Sequence, residues 1–139
     1  MANPAFSTRY RLPDGRIAVN VTEAKTLAAA DSGIVQNVTV ANTVVTLPAT
    51  ATEGIWTVRD GGVAETDGPT GAIVSAATPR VDPNGSDTVS GFNVTGTAAD
   101  GKYLSNTDGR QGDEITIQNT TATNGGFVVG AVGDWLREA

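Results

Sequence analysis

Seven Asp-Gly or Asn-Gly pairs punctuate this 139-residue chain, beginning at Asp14, Asp60, Asp67, Asn84, Asp100, Asp108 and Asn124. Asp31-Ser32-Gly33 is a near-match. Such pairs accept the positive φ that tight turns demand. Between them lie short runs of Val, Thr and Ile, whose stiff β-branched side chains suit a pleated surface. A chain interrupted this often has little room for long helices. The expected fold is all-β, a small sandwich or barrel of about eight or nine short strands with an extended N-terminal arm.

Alternation supports the strands. Ile17, Val19 and Val21 alternate with Ala18, Asn20 and Thr22, and Trp56 and Val58 with Ile55, Thr57 and Arg59. Ile34, Gln36, Val38 and Val40 form a less regular run. Val45 and Leu47 end at Pro48, which cannot donate to a ladder. Ile73-Val74 and Thr88-Val89 are short. Ile115 and Ile117 stand between Glu114, Thr116 and Gln118, while Phe127, Val129 and Ala131 alternate with Val128, Gly130 and Val132. The one helical signal, Thr22 to Ala30, predicts at most a short helical piece that Gly33 would stop. No repeat with a period of 20–50 residues is evident.

Leu, Ile, Val and Phe supply 30 of 139 residues, just above the roughly one-fifth below which disorder is expected. The core is therefore thin, and association with other chains is one way to cover the deficit. The chain has no Cys and no His, which excludes disulfides, Cys or His zinc sites and every triad built on imidazole. The net charge of −6 is uneven: residues 1–16 carry +2 and residues 17–139 carry −8. Two units are expected, an extended basic arm over 1–16 and an all-β domain over 17–139. The acidic body argues against nucleic acid as a partner. No apolar run resembles a signal peptide or a membrane span, so no membrane partner is expected.

Candidate sites compete with plainer readings. Asp82-Pro83-Asn84-Gly85-Ser86-Asp87 gathers oxygen ligands of the kind calcium takes, but its spacing fails the EF-hand pattern and suits an ordinary Pro-Asn-Gly turn. The carboxylates available for glycoside hydrolysis are Asp113 with Glu114, Asp60 with Glu65, and Asp31. Asp113 and Glu114 are adjacent at a strand start and point to opposite faces, so no catalytic constellation and no cofactor is expected. Gly61-Gly62 and Gly125-Gly126 precede no helix and read as hairpin turns, not phosphate loops. Sequons at Asn20, Asn37, Asn93 and Asn119 read as strand residues. Trp56, inside a strand, is expected in the core; Trp135 either closes the core or docks on a neighbouring subunit. Arg9, Arg11 and Arg16, interleaved with Phe6 and Tyr10, are either an ordinary first strand with solvated arginines or an anchor built from residue types that dominate interfaces.

Several short motifs, in order, resemble a known pattern. Leu27-Ala28-Ala29-Ala30-Asp31-Ser32-Gly33 comes first, then Val44-Val45-Thr46-Leu47-Pro48-Ala49-Thr50 and Gly54-Ile55-Trp56-Thr57-Val58. Gly126-Phe127-Val128-Val129 and Gly133-Asp134-Trp135 close it. Over about residues 25–135 the chain resembles head decoration proteins of tailed bacteriophages, and some tail or fibre modules. The resemblance implies a non-enzymatic virion protein, a cement displayed in many copies on the outer capsid surface. Its partner would be the major capsid protein, and it would be a homo-oligomer, often a trimer. The first 16 residues lie outside the resemblance, so the anchor rests on residue types alone. The capsid-binding residues expected are Phe6, Arg9, Tyr10, Arg11 and Arg16, and the oligomer-interface residues Trp135 and Leu136. The alternative is a tail or fibre structural module binding host-surface carbohydrate, with Tyr103, Phe92 and Trp135 as candidate aromatics.

Overall fold

The computed structural model describes residues 9–62, 64–66, 73–75, 77–91, 98–99, 101–106, 109–119 and 125–139. Among the described residues there are fourteen strands. The first seven are β1 (Arg9–Arg11), β2 (Ile17–Val21), β3 (Lys25–Thr26), β4 (Val35–Val38), β5 (Val44–Thr46), β6 (Gly54–Asp60) and β7 (Ala64–Thr66). The others are β8 (Ile73–Ser75), β9 (Arg80–Asp82), β10 (Thr88–Gly91), β11 (Leu104–Ser105), β12 (Glu114–Asn119), β13 (Gly125–Val132) and β14 (Leu136–Arg137). The fold is all-β. The count exceeds eight or nine because β1, β3, β7, β9, β11 and β14 are only two or three residues long, too short to show alternation. The expected helical piece is one 3₁₀ turn, Ala29–Asp31, preceded by β3. Asp31 closes that turn by accepting a hydrogen bond from the Ala28 N–H at 2.9 Å. Gly33, at φ +80°, leads out of it.

Two sheets face each other. The larger has the order β1-β2-β4-β6-β12-β13-β10, the smaller β14-β11-β9-β5-β3, and β7 and β8 form a separate hairpin. From β2 to β6 successive strands alternate between the sheets. β2, β4 and β6 run parallel in the larger sheet, and β3 and β5 run parallel in the smaller. Parallel neighbours need a long crossover, and here each sheet supplies the crossover for the other. The chain thus coils. Ala18 pairs with Val35, Lys25 with Val45 and Val35 with Thr57, so one turn of the coil takes 17, 20 and 22 residues respectively. Of the remaining large-sheet neighbours, β1 with β2, β6 with β12 and β12 with β13 are antiparallel, and β10 with β13 is parallel.

The core lies between the sheets. Val45, Val81 and Leu104 form one cross-strand row on the smaller sheet. Val58 and Ile115 form a row on the larger sheet, as do Trp56, Ile117 and Val128. All are buried in a single cluster with Leu27, Leu47, Val89 and Trp135. Burying each aliphatic or aromatic side chain contributes about 1.5–3 kcal/mol. A smaller cluster of Leu12, Ala18 and Val35 sits on the outer side of the larger sheet, where the β1–β2 hairpin turn folds over β4.

Candidate interaction face

Hydrogen bonds between β1 and β2 place Arg9–Arg11 at the edge of the larger sheet and cross the expected boundary between residues 16 and 17. Arg9, Tyr10 and Arg11 are exposed. Tyr10 Oη donates to Asn20 Oδ1 at 2.6 Å, and Arg11 Nη1 to the Gly15 carbonyl at 2.9 Å. Phe6 lies outside the described residues.

Arg16 is committed to the body. Its Nη1 and Nη2 meet Glu114 Oε1 and Oε2 at 2.9 and 3.0 Å, and its Nε meets Asp14 Oδ2 at 2.9 Å. These bonds, to Glu114 first and Asp14 second, push the guanidinium above its ordinary range. The Asp14 carboxyl is held below its own ordinary value, mainly by the Arg16 side chain and then by the Arg16 N–H.

Trp135 corrects an expectation. Only 1% of it is exposed, its indole N–H donates to the Val132 carbonyl at 3.1 Å, and it belongs to the main cluster. It closes the core and has no surface to offer a neighbour. Leu136 is exposed beside it on the smaller sheet.

The outward side of the larger sheet carries the feature that sequence reasoning missed. Ile55, Gln118, Phe127 and Ser90 stand in one cross-strand row. A second row runs through Tyr10, Ala18, Val35, Thr57, Thr116 and Gly130. A third holds Asn20, Asn37, Arg59, Glu114 and Val132. Between Thr116 and Ile117 the register shifts, and Val129 is the extra residue of a bulge. The bulge explains why Phe127 and Val129 face out while Val128 and Ala131 pack on the core. Phe127 is 47% exposed and Val132 60% exposed, with Ile55 and Val129 also open to solvent. Between these residues lies a low trough of Thr57, Thr116 and Gly130, the two threonine hydroxyls joined at 2.9 Å. The result is an apolar ridge and trough bordered by the Arg16–Glu114 pair.

The carboxylates weighed for catalysis are held by protein donors. Asp113 Oδ2 accepts from Asn106 Nδ2 at 3.2 Å and from the Arg110 N–H at 3.0 Å. Asp31 pairs with Lys25 at 3.3 Å. Asp60 is buried, and the Glu65 side chain lies outside the described residues. In the Asp82–Asp87 turn, Asp82 pairs with Arg80, and Asp87 Oδ2 accepts the Thr50 N–H at 3.1 Å. Among the described residues no three acidic side chains gather where they could hold a metal. The sequon residue Asn119 is buried and donates to the Pro48 and Ala49 carbonyls.

The chain matches no family model, no curated protein and no solved structure. Four large apolar side chains grouped on β6 and β13, on either side of β12, are what a protein-binding surface presents.

Proposed function

We propose that this chain is a bacteriophage decoration protein that binds the outer surface of the assembled capsid and stabilises it. The observation that supports this reading is the exposed apolar ridge of Ile55, Phe127, Val129 and Val132 on the larger sheet. The order of short motifs that resembles the cement family points the same way. In this reading the major capsid protein meets the ridge, with Arg9 and Arg11 at the β1 edge adding positive charge. Arg16 serves by pinning the hairpin to Glu114. Copies associate as a homo-oligomer, a trimer in the favoured form, through the edges of the sheets, where unpaired backbone groups invite pairing.

Stabilisation follows from linkage. A protein that binds only the assembled lattice lowers that state's free energy, by about 2.7 kcal/mol per site at a hundredfold excess over Kd. Occupancy of many sites multiplies the effect.

The test is co-sedimentation of purified chain with undecorated capsids, with capsid melting as the second readout. Wild-type protein is expected to co-sediment in stoichiometric numbers and raise the capsid's melting temperature. Phe127→Ser, at a position already in water, should fold normally and bind at least tenfold more weakly. Arg9→Glu with Arg11→Glu should weaken binding in a salt-dependent way. Removal of residues 2–16 is a poorer test, because it takes away β1 and uncovers Ala18 and Val35. Absence of the chain from particles, or undiminished binding by Phe127→Ser, would refute the reading.

A further inference from the structure

The smaller sheet offers a second surface of different chemistry. On its outward side Val44, Arg80, Ser105 and Leu136 share one cross-strand row. Beside them opens a cleft of about 260 Å³ lined by Asn42, Val44, Thr78, Arg80, Tyr103 and Ser105. The Arg80 guanidinium carbon lies 3.7 Å from the centre of the Tyr103 ring. Its Nη2 donates to Asp82 Oδ2 at 2.8 Å and its Nε to Asp82 Oδ1. Ring and carboxylate thus lock the fork in place. A guanidinium has five N–H groups, so three remain for a ligand.

Backbone strain is concentrated at this cleft. Among the described residues only two other than glycine have positive φ, Asn42 at 59° and Thr78 at 40°. Both line the cleft, and Thr78 Oγ1 contacts Asn42 Oδ1 at 3.2 Å. Positive φ is unfavourable for a β-branched residue such as threonine. Neither side chain belongs to the core clusters, although the Asn42 N–H donates to the carbonyl of the core residue Ala77 at 2.9 Å. Such outliers gather at ligand sites.

The lining selects the ligand. Arg80 is the one charged lining residue, and Asp82 pairs with it while the Glu138 charge also acts on it, so the cleft offers no net positive charge and a neutral ligand fits best. A lone anion would face the Asp82 carboxylate, and a metal cation would find a single carboxylate already paired. The Asn42 amide and the Ser105 hydroxyl can donate and accept, Thr78 Oγ1, whose proton goes to Asn42 Oδ1, can accept, Arg80 donates, and Val44 and the Tyr103 ring give apolar contact. Hydroxyls that donate and accept, arranged around apolar C–H faces, are the chemistry of a sugar ring. The cleft is smaller than the roughly 300–1,000 Å³ that encloses a drug-sized molecule, which suits one ring. We propose that this cleft on the smaller sheet binds one pyranose unit of a neutral glycan, held by Asn42, Thr78, Arg80 and Ser105.

The test uses the full chain on a glycan array, together with titration of free glucose, galactose, mannose and N-acetylglucosamine followed by two-dimensional amide NMR. The array is expected to show a neutral glycan ligand. At least one free sugar should shift amides near residues 42, 78 and 105 in a saturable manner. Asn42→Gly removes the side-chain amide but fits the positive φ, so it should melt at or above the wild-type temperature yet bind at least tenfold more weakly. Ser105→Ala should weaken binding as well, whereas Phe127→Ser on the opposite sheet should bind sugar as wild type does. No glycan bound by folded wild-type protein would overturn the proposal. So would shifts confined to the larger sheet, or full binding by Asn42→Gly and Ser105→Ala.

Discussion

Trp135 illustrates how a side chain's chemistry leaves its use open. Tryptophan serves cores and interfaces alike. Its position after Gly133-Asp134 leads the chain back under the smaller sheet, where the indole finds the Val132 carbonyl. Trp135→Ala is therefore expected to destabilise the isolated chain by about 3–5 kcal/mol, read from denaturant unfolding. An interface residue would leave the isolated chain's stability nearly unchanged. Asp14 carries a pH signature. Its carboxyl lies below the ordinary value of 3.8 because Arg16 donates to it. A depressed carboxylate contributes stability above its unfolded value and loses it as pH falls through the folded one. Asp14→Asn should therefore melt below wild type at pH 7. That difference should close as the pH is lowered past 3.8 toward the folded value, a comparison for calorimetry across the acid range.

At the scale of the element, the strands legible in the sequence are those whose buried residues fall at every second position. In β6 and β12 these are Trp56 and Val58, and Ile115 and Ile117. β13 defeated the same logic. It is apolar on both sides, so alternation alone could not say that Phe127 and Val129 face solvent, and the bulge that sets its phase depends on its partner β12. The interaction face was hidden for that reason. Glycines divide similarly. A Cβ at Gly109 would overlap Asn106 Oδ1 and Asp60 Oδ2, both buried, whereas a Cβ at Gly130 meets nothing within 4 Å. Gly109→Ala should destabilise by about 1–3 kcal/mol through overpacking. Gly130→Ala should be neutral or stabilising by up to about 1 kcal/mol. Paired melting curves of the two variants check the contrast.

For the whole molecule, folding depends on non-local pairing, that of β6 with β12 and that within the coil from β2 to β6. The coil's parallel pairs join residues about one coil turn apart, and β10 joins β13 across a still longer span. Loop-closure entropy must be offset before such contacts form, so folding dominated by them is slow. Refolding from denaturant is expected on a timescale of about milliseconds to seconds, measurable by stopped-flow tryptophan fluorescence. Microsecond folding would show that local hairpins dominate instead. The coil also separates the two outer faces. One presents an apolar ridge, the other a polar cleft.

The amino-acid sequence by itself determined an all-β chain, because Asp-Gly and Asn-Gly pairs and β-branched runs act within a few residues of themselves. It also placed Trp56 and the alternating valines and isoleucines in a core, since period-2 burial is a local property. Which strands pair, and in which direction, was decided only when two sheets closed over that core. Hydrogen-bond partners 17–22 residues apart leave no local mark. The same closure turned Phe127 outward, drew Trp135 inward and brought Asn42, Thr78, Arg80 and Tyr103 to one cleft.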